Sequence, residues 1–278
     1  MDSAGNSPDN VTEAALEVVS EAVDLADQQG QQRAQRRRGL RGRLAGRLAR
    51  RSGRRRGIRR LGAVLSGTAR RGAQVTGRGV SAGGRWLSDQ VLAMAPRLPV
   101  RSLATLRGQF PDRSPDELAA GLIEGASRAS AAVGVAVGAW AVLPFLPTAG
   151  MEIATETLSV VGIEIKLVAE LHEVYGMAPP GSVVDRMTGY VGAWAQRRGV
   201  ALAPGGLVLV AGSPLARQLQ RRLAARAGRS VLSLGPLLTG AVAGGLVNRR
   251  ETRKLGRLIR DDLRRRSPHA SGWPGPAA

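Results

Sequence analysis

The chain has 278 residues, 43% of them hydrophobic but only 3% aromatic, and its 41 basic against 21 acidic side chains leave a net charge of +20. That length can bury a substantial core, which must be built from Ala, Val and Leu. The absence of Cys excludes disulfides, thiolate-ligated metal and a thiol nucleophile, and with only His172 and His269 a multi-histidine zinc site is excluded as well.

The amino-terminal segment, 1–32, is acidic, with no base before Arg33. This reverses the pattern of a secretory signal, so a cytoplasmic start is expected. Asn10 and Glu13 have the spacing of an N-cap pair, and Val11, Ala15, Val18, Val19, Ala22 and Leu25 recur at helical intervals. A short acidic amphipathic helix is expected over 11–28. Residues 33–88 hold 18 Arg, 12 Gly and no acid. So charged a stretch buries too little apolar area to offset its ordering entropy, and a disordered basic linker is expected. Leu40, Leu44 and Leu48 nevertheless sit four apart, the spacing of basic helices that an opposing partner would induce. The runs Arg36, Arg37, Arg38 and Arg54, Arg55, Arg56 are the candidate contacts to an anionic surface.

Order should resume near Trp86 and continue as a helical domain over 89–266. Ser114 as N-cap, Pro115 in the first helical position and Glu117 three residues on form a capping box. The helix it opens runs through Leu118, Leu122, Ile123 and Ala126. No charge follows Arg128 until Glu152. As one helix, 129–151 would measure about 34 Å, but Pro144 and Pro147 reduce the unbroken part to about 22 Å, short of the ~30 Å of a hydrocarbon layer. A core helix, a membrane-dipping segment and a span all remain open.

The helix expected over 151–176 gathers Glu152, Glu156, Lys166, Glu170 and Glu173 within about 100°, with Leu158, Val161, Ile165 and Val168 opposite. This charged face is expected to meet water or the Arg-rich segments. A di-iron bundle would need Glu-x-x-His twice, whereas His172 follows Glu170 by two residues. No nucleophile elbow, phosphate-binding loop or dinucleotide fingerprint occurs. No catalytic residue, metal, cofactor or small-molecule substrate is therefore expected. Ser182 with Asp185 opens another helix, through Met187, Tyr190 and Trp194 to Gly199.

The last third repeats one pattern: an apolar, Gly-containing stretch, then a basic helix. Residues 204–213 precede a helix marked by Leu215, Leu219 and Leu223. The uncharged 230–248 precede one with Leu255, Leu258, Ile259 and Leu263 against Arg253, Lys254, Arg257, Arg260 and Arg264. Of these bases Arg253, Lys254 and Arg257 complete the candidate anionic-surface set. Gly134 with Gly138, and Gly240 with Gly244, have the spacing that lets helices approach closely. The tail, 267–278, is Pro/Gly/Ala-rich and expected to be disordered, with Trp273 stranded in it.

The charge-free stretch from Gly134 to Pro147, the run from Lys166 to Gly176 (KLVAELHEVYG) and the run from Leu234 to Asn248 (LGPLLTGAVAGGLVN) before a charged helix come in a characteristic order. Over about 100–266 this resembles the membrane-associated helical proteins of actinobacteria and, more distantly, the EcsC-type family. The resemblance implies an α-helical, membrane-associated protein with no assigned catalytic residue.

The expected fold is thus all-α: a bundle of Ala/Gly-rich apolar helices and basic amphipathic helices behind an Arg-rich segment. The expected function is non-enzymatic: a cytoplasm-facing protein anchored at the inner membrane by its Gly/Ala-rich apolar helices and by polybasic segments on anionic lipid, to which each base near the surface contributes about 1 kcal/mol. The alternative is a nucleoid-associated protein binding nucleic acid non-specifically through phosphates, although 33–80 lack aromatic residues for stacking. Self-association is a third expectation, with the acidic helix or the Glu face neutralising the Arg segment in cis or in a neighbouring copy.

Overall fold

In a computed structural model the residues described are 8–41, 77–140, 149–203, 206–209, 237–267 and 273. They form α1 (Pro8–Arg41), α2 (Gly77–Met94), a 3-10 turn (Ala95–Arg97), α3 (Leu103–Gln109), α4 (Pro115–Trp140), α5 (Ala149–Val174), α6 (Val183–Arg198), β1 (Val200–Ala203), β2 (Gly206–Leu209) and α7 (Leu237–Arg266). The all-α bundle holds, with one small addition. Gly199, at φ 66, ends α6, and the Val/Leu alternation beyond it forms an antiparallel hairpin pairing Val200 with Leu209 through Ala203 with Gly206. β1 rests on α6 and β2 on α2.

Two boundaries differ from expectation. α1 begins at Pro8, so Asn10 lies inside it rather than capping it, and it runs 34 residues to Arg41. Residues 33–41 thus extend the acidic helix. Ala, Gln and Arg are good helix formers, and a helix with acids early and arginines late suits its own dipole. α2 similarly takes the end of the Arg/Gly-rich segment. Residues 42–76, with most of the expected linker and Arg54, Arg55 and Arg56, lie outside the described residues, as does the helix expected at Leu215–Leu223.

The capping boxes form as spaced. The Ser114 hydroxyl accepts from Glu117 N at 3.3 Å while Ser114 N donates to Glu117 at 3.0 Å. Ser182 and Asp185 reciprocate in the same way. The helix so started at Pro115 does not stop at Arg128: α4 is one rod of 26 residues that carries the charge-free stretch as far as Trp140.

α4 opposes α1, α5 and α7, which share a direction. Ser159 reaches the Ala15 carbonyl and Thr252 reaches Glu164, whereas Asp116, near the start of α4, meets Arg264 near the end of α7. α5 is the axis of this assembly. It packs against α1, α2, α3, α4, α6 and α7, and residues 157–171 are buried without interruption.

That burial corrects the expectation of a wet charged face. Glu164, Lys166 and Glu170 are 2%, 4% and 3% exposed. A helix surrounded by protein has no side for charges to reach water, so each needs an internal partner. Arg101 grips Glu170 with two nitrogens, at 2.8 and 2.9 Å, and also reaches Asp27 at 2.7 Å. Lys166 donates to Glu170 at 2.5 Å and to the Pro99 carbonyl. Glu164 accepts from both Nε and Nη2 of Arg198, from the Trp194 indole at 3.0 Å and from Thr252 at 2.9 Å. Trp273 is not stranded either: its indole donates to the Val174 carbonyl at 3.1 Å, and Arg107 lies 5.2 Å over its ring.

Candidate anionic-surface site

α7 is a single helix of 30 residues, so the charge-free run and the basic run belong to one rod. Nothing in 237–266 breaks it: no proline occurs after Pro236 until Pro268. Its inner side carries Gly245, Asn248, Thr252, Leu255, Gly256, Ile259 and Leu263, all buried. Two glycines set its depth. A Cβ on Gly245 would stand 2.8 Å from the Ala131 carbonyl of α4, and one on Gly256 would stand 2.8 Å from Ile123. Asn248 then satisfies the Ser130 carbonyl and Glu156, each at 3.3 Å.

Seating that side turns the other outward. At about 100° per residue, Leu246, Val247, Arg250, Lys254, Arg257 and Leu258 share a sector of roughly 120°. All of these except Val247 line, with Arg249 and Arg253, an open groove of about 590 Å³. Two of its members are aliphatic and exposed, Leu246 59% and Leu258 44%, and Val247, 48% exposed, adjoins Leu246 in the same sector.

The five bases fall into two groups. Arg249 and Arg253 reach across to Glu124 of α4, Arg249 at 2.7 Å. Arg128, one turn along α4, approaches the same carboxylate at 3.7 Å. Partial burial pushes Glu124 up, but the two guanidiniums of α7 outweigh it and hold the carboxyl below its ordinary value of 4.5. Arg250, Lys254 and Arg257 make no ion pair among the described residues. Among the described residues these three are the site's free cations.

The sequence-derived residues therefore divide. Lys254 and Arg257 lie free in the groove, and Arg253 lies there held by Glu124. Arg36, Arg37 and Arg38 are in the last turns of α1, but their side chains lie outside the described residues. Gly134 faces α7, with Gly245 Cα 3.1 Å from where its Cβ would be; Gly244 is not the close neighbour, its own Cβ meeting only the Gly134 carbonyl at 3.8 Å. Gly138 and Gly240 lie in α4 and α7, at positions whose surroundings fall outside the described residues. Sequence reasoning missed Leu246, Arg249, Arg250 and Glu124. The first three follow once α7 is drawn as one helix from Leu237; Glu124 requires the antiparallel register of α4.

Among the described residues no helix is long and apolar enough to cross a membrane, and no cluster of His, Asp and Glu is arranged to hold a metal ion. Two carboxylates of α5 are engaged otherwise: Glu170 by Arg101 and Lys166, Glu173 by Tyr190 at 3.2 Å. Compared with known protein families, curated proteins and solved structures, the chain matches none.

Proposed function

We propose that this is a peripheral protein of an anionic membrane surface, acting by binding rather than by catalysis, with the α7 groove as its docking face and the cytoplasmic leaflet of the inner membrane as its site. The observation that carries the reading is the mixture on that face: three bases with no ion pair among the described residues, interspersed with the exposed Leu246 and Leu258 and adjoined by Val247. Phosphates alone call for the bases only. A lipid interface takes both, since headgroups attract the charges and the acyl boundary accepts the aliphatic side chains.

The test is co-sedimentation of the full chain with neutral and with anionic phospholipid vesicles, alongside Arg250→Glu/Lys254→Glu/Arg257→Glu. Binding is expected to anionic vesicles only. Charge reversal at three exposed positions is expected to abolish α7's share of it while leaving the unfolding midpoint unchanged. Tighter binding to unrelated DNA duplexes than to the vesicles, with the same loss in the variant, would assign the groove to nucleic acid instead.

A further inference from the structure

Charge is distributed unevenly along α7. Every charged residue of the helix lies at or beyond Arg249, and none occurs from Leu237 to Asn248. The antiparallel neighbour matches it: α4 carries no charge from Ala129 to Trp140. The two uncharged halves lie side by side, because Gly134 and Ala131 face Gly245. Where this pair meets solvent it presents Val135, 42% exposed, from α4 and Leu246 and Val247 from α7. Val135 Cγ2 comes within 2.8 Å of where a Gly245 Cβ would be, so it borders the residue next to Leu246. One end of the α4–α7 pair is thus oily at its surface, and the free bases begin one turn farther along.

We infer that Val135, Leu246 and Val247 form an insertion edge that enters the acyl boundary of an anionic bilayer while Arg250, Lys254 and Arg257 engage the headgroups. This rests on the membrane reading above and adds depth and orientation to it: α7 lies on the surface with its amino-terminal half deeper. The order of residues fixes the sense of the tilt. Bases placed farther along the helix remain at headgroup level, where anionic lipid attracts them, and aliphatic side chains ahead of them sit where leaving water is favourable. The edge does not require a span. It requires only that three side chains reach a few ångströms below the phosphates.

The chain contains no cysteine, so Leu246→Cys carries a polarity-sensitive fluorophore at one place only. Val184→Cys is the matched control: Val184 is also 59% exposed. It lies in the first turn of α6, just past the end of α5, whereas Leu246 lies two residues before Asn248, which meets Glu156 near the start of α5. With vesicles of neutral and anionic phospholipid, the probe at 246 is expected to shift to the blue and to be quenched by bromine on the upper acyl carbons. The probe at 184 is expected to do neither. Val135→Asn/Leu246→Asn/Val247→Asn, which changes exposed positions only, is expected to weaken the salt-resistant part of binding about tenfold or more, the weight of one aliphatic side chain left in water. Binding that high salt removes completely, with no shift at 246, would overturn the insertion edge and leave surface docking intact. Absence of any binding to anionic vesicles would overturn the docking reading itself. A shift at 184 in place of 246 would reverse the orientation and refute the edge.

Discussion

At the scale of single residues, the closest test of the packing lies in two adjacent glycines. Gly245 faces the backbone of α4 and Gly244 does not. Gly245→Ala should cost about 1–3 kcal/mol, because a carbonyl cannot yield as a side chain end can. Gly244→Ala meets ordinary contact distances and gains helix propensity, so it should be neutral or slightly stabilising. Urea unfolding of the two variants checks the difference. The spacing Gly240–Gly244 announced a close approach in the sequence, but at adjacent glycines a pattern cannot decide which one faces inward; the register against Gly134 does.

His172 gives a second residue-scale prediction. Burial pushes its imidazole below the ordinary value of 6.5 and Arg266 adds to this; the Val168 carbonyl, which accepts from Nδ1 at 2.7 Å, and the carboxylates of Asp262 and Glu173 offset it only in part. The neutral ring belongs to the folded state. Its contribution is present above 6.5, the unfolded value, and is lost as pH falls through that value toward the lower folded one. The denaturant midpoint should therefore begin to drop below about pH 6.5, and His172→Asn should flatten that part of the profile. Glu170 adds a loss of the same sign at lower pH: burial raises its carboxyl, Arg101 and Lys166 outweigh burial, and the folded value lies below 4.5.

At the scale of elements, the informative departure is α5. Its periodicity placed Glu164 at the edge of a polar sector and Lys166 and Glu170 within one, and the sector is real. Its surroundings were not legible, because the arginines that meet it come from α6 and from the segment before α3. A helix pattern reports which residues share a side, never whether that side faces water or a distant cation. Breaking the pair by Glu164→Gln or Arg198→Met should each cost about 3–5 kcal/mol, since an uncompensated buried group is left behind. Glu164→Leu/Arg198→Met, which removes both charges, should cost less than the sum of the single losses. Chemical denaturation of the three variants reads the coupling directly. The capping boxes at Ser114 and Ser182 were fully legible, because everything they need lies within four residues.

At the scale of the molecule, α1 and α7 each pack on the central α4 and α5. The outer residues of α1 include exposed Glu13, Glu17, Glu21 and Asp24; those of α7 include Arg250, Lys254 and Arg257. The groove's charge is trimmed by Glu124, which retains Arg249 and Arg253. Glu124→Gln should release that restraint and raise affinity for anionic vesicles about fivefold, the weight of one additional base at such a surface. Co-sedimentation against the unaltered chain checks it. The +20 charge in the sequence pointed to an anionic partner; which bases are free to meet it depends on helix register.

The partners of Glu164 also have a consequence for synthesis. The guanidinium that neutralises it lies 34 residues farther along the chain, and the threonine that completes its shell lies 88 residues farther. As the polypeptide leaves the ribosome, α5 emerges well before either, so it cannot settle into a dry interior without stranding a carboxylate. The axis of the bundle waits for α6 to balance that charge and for α7 to complete its hydrogen bonds, so a nascent chain interrupted before Thr252 leaves the centre unfinished.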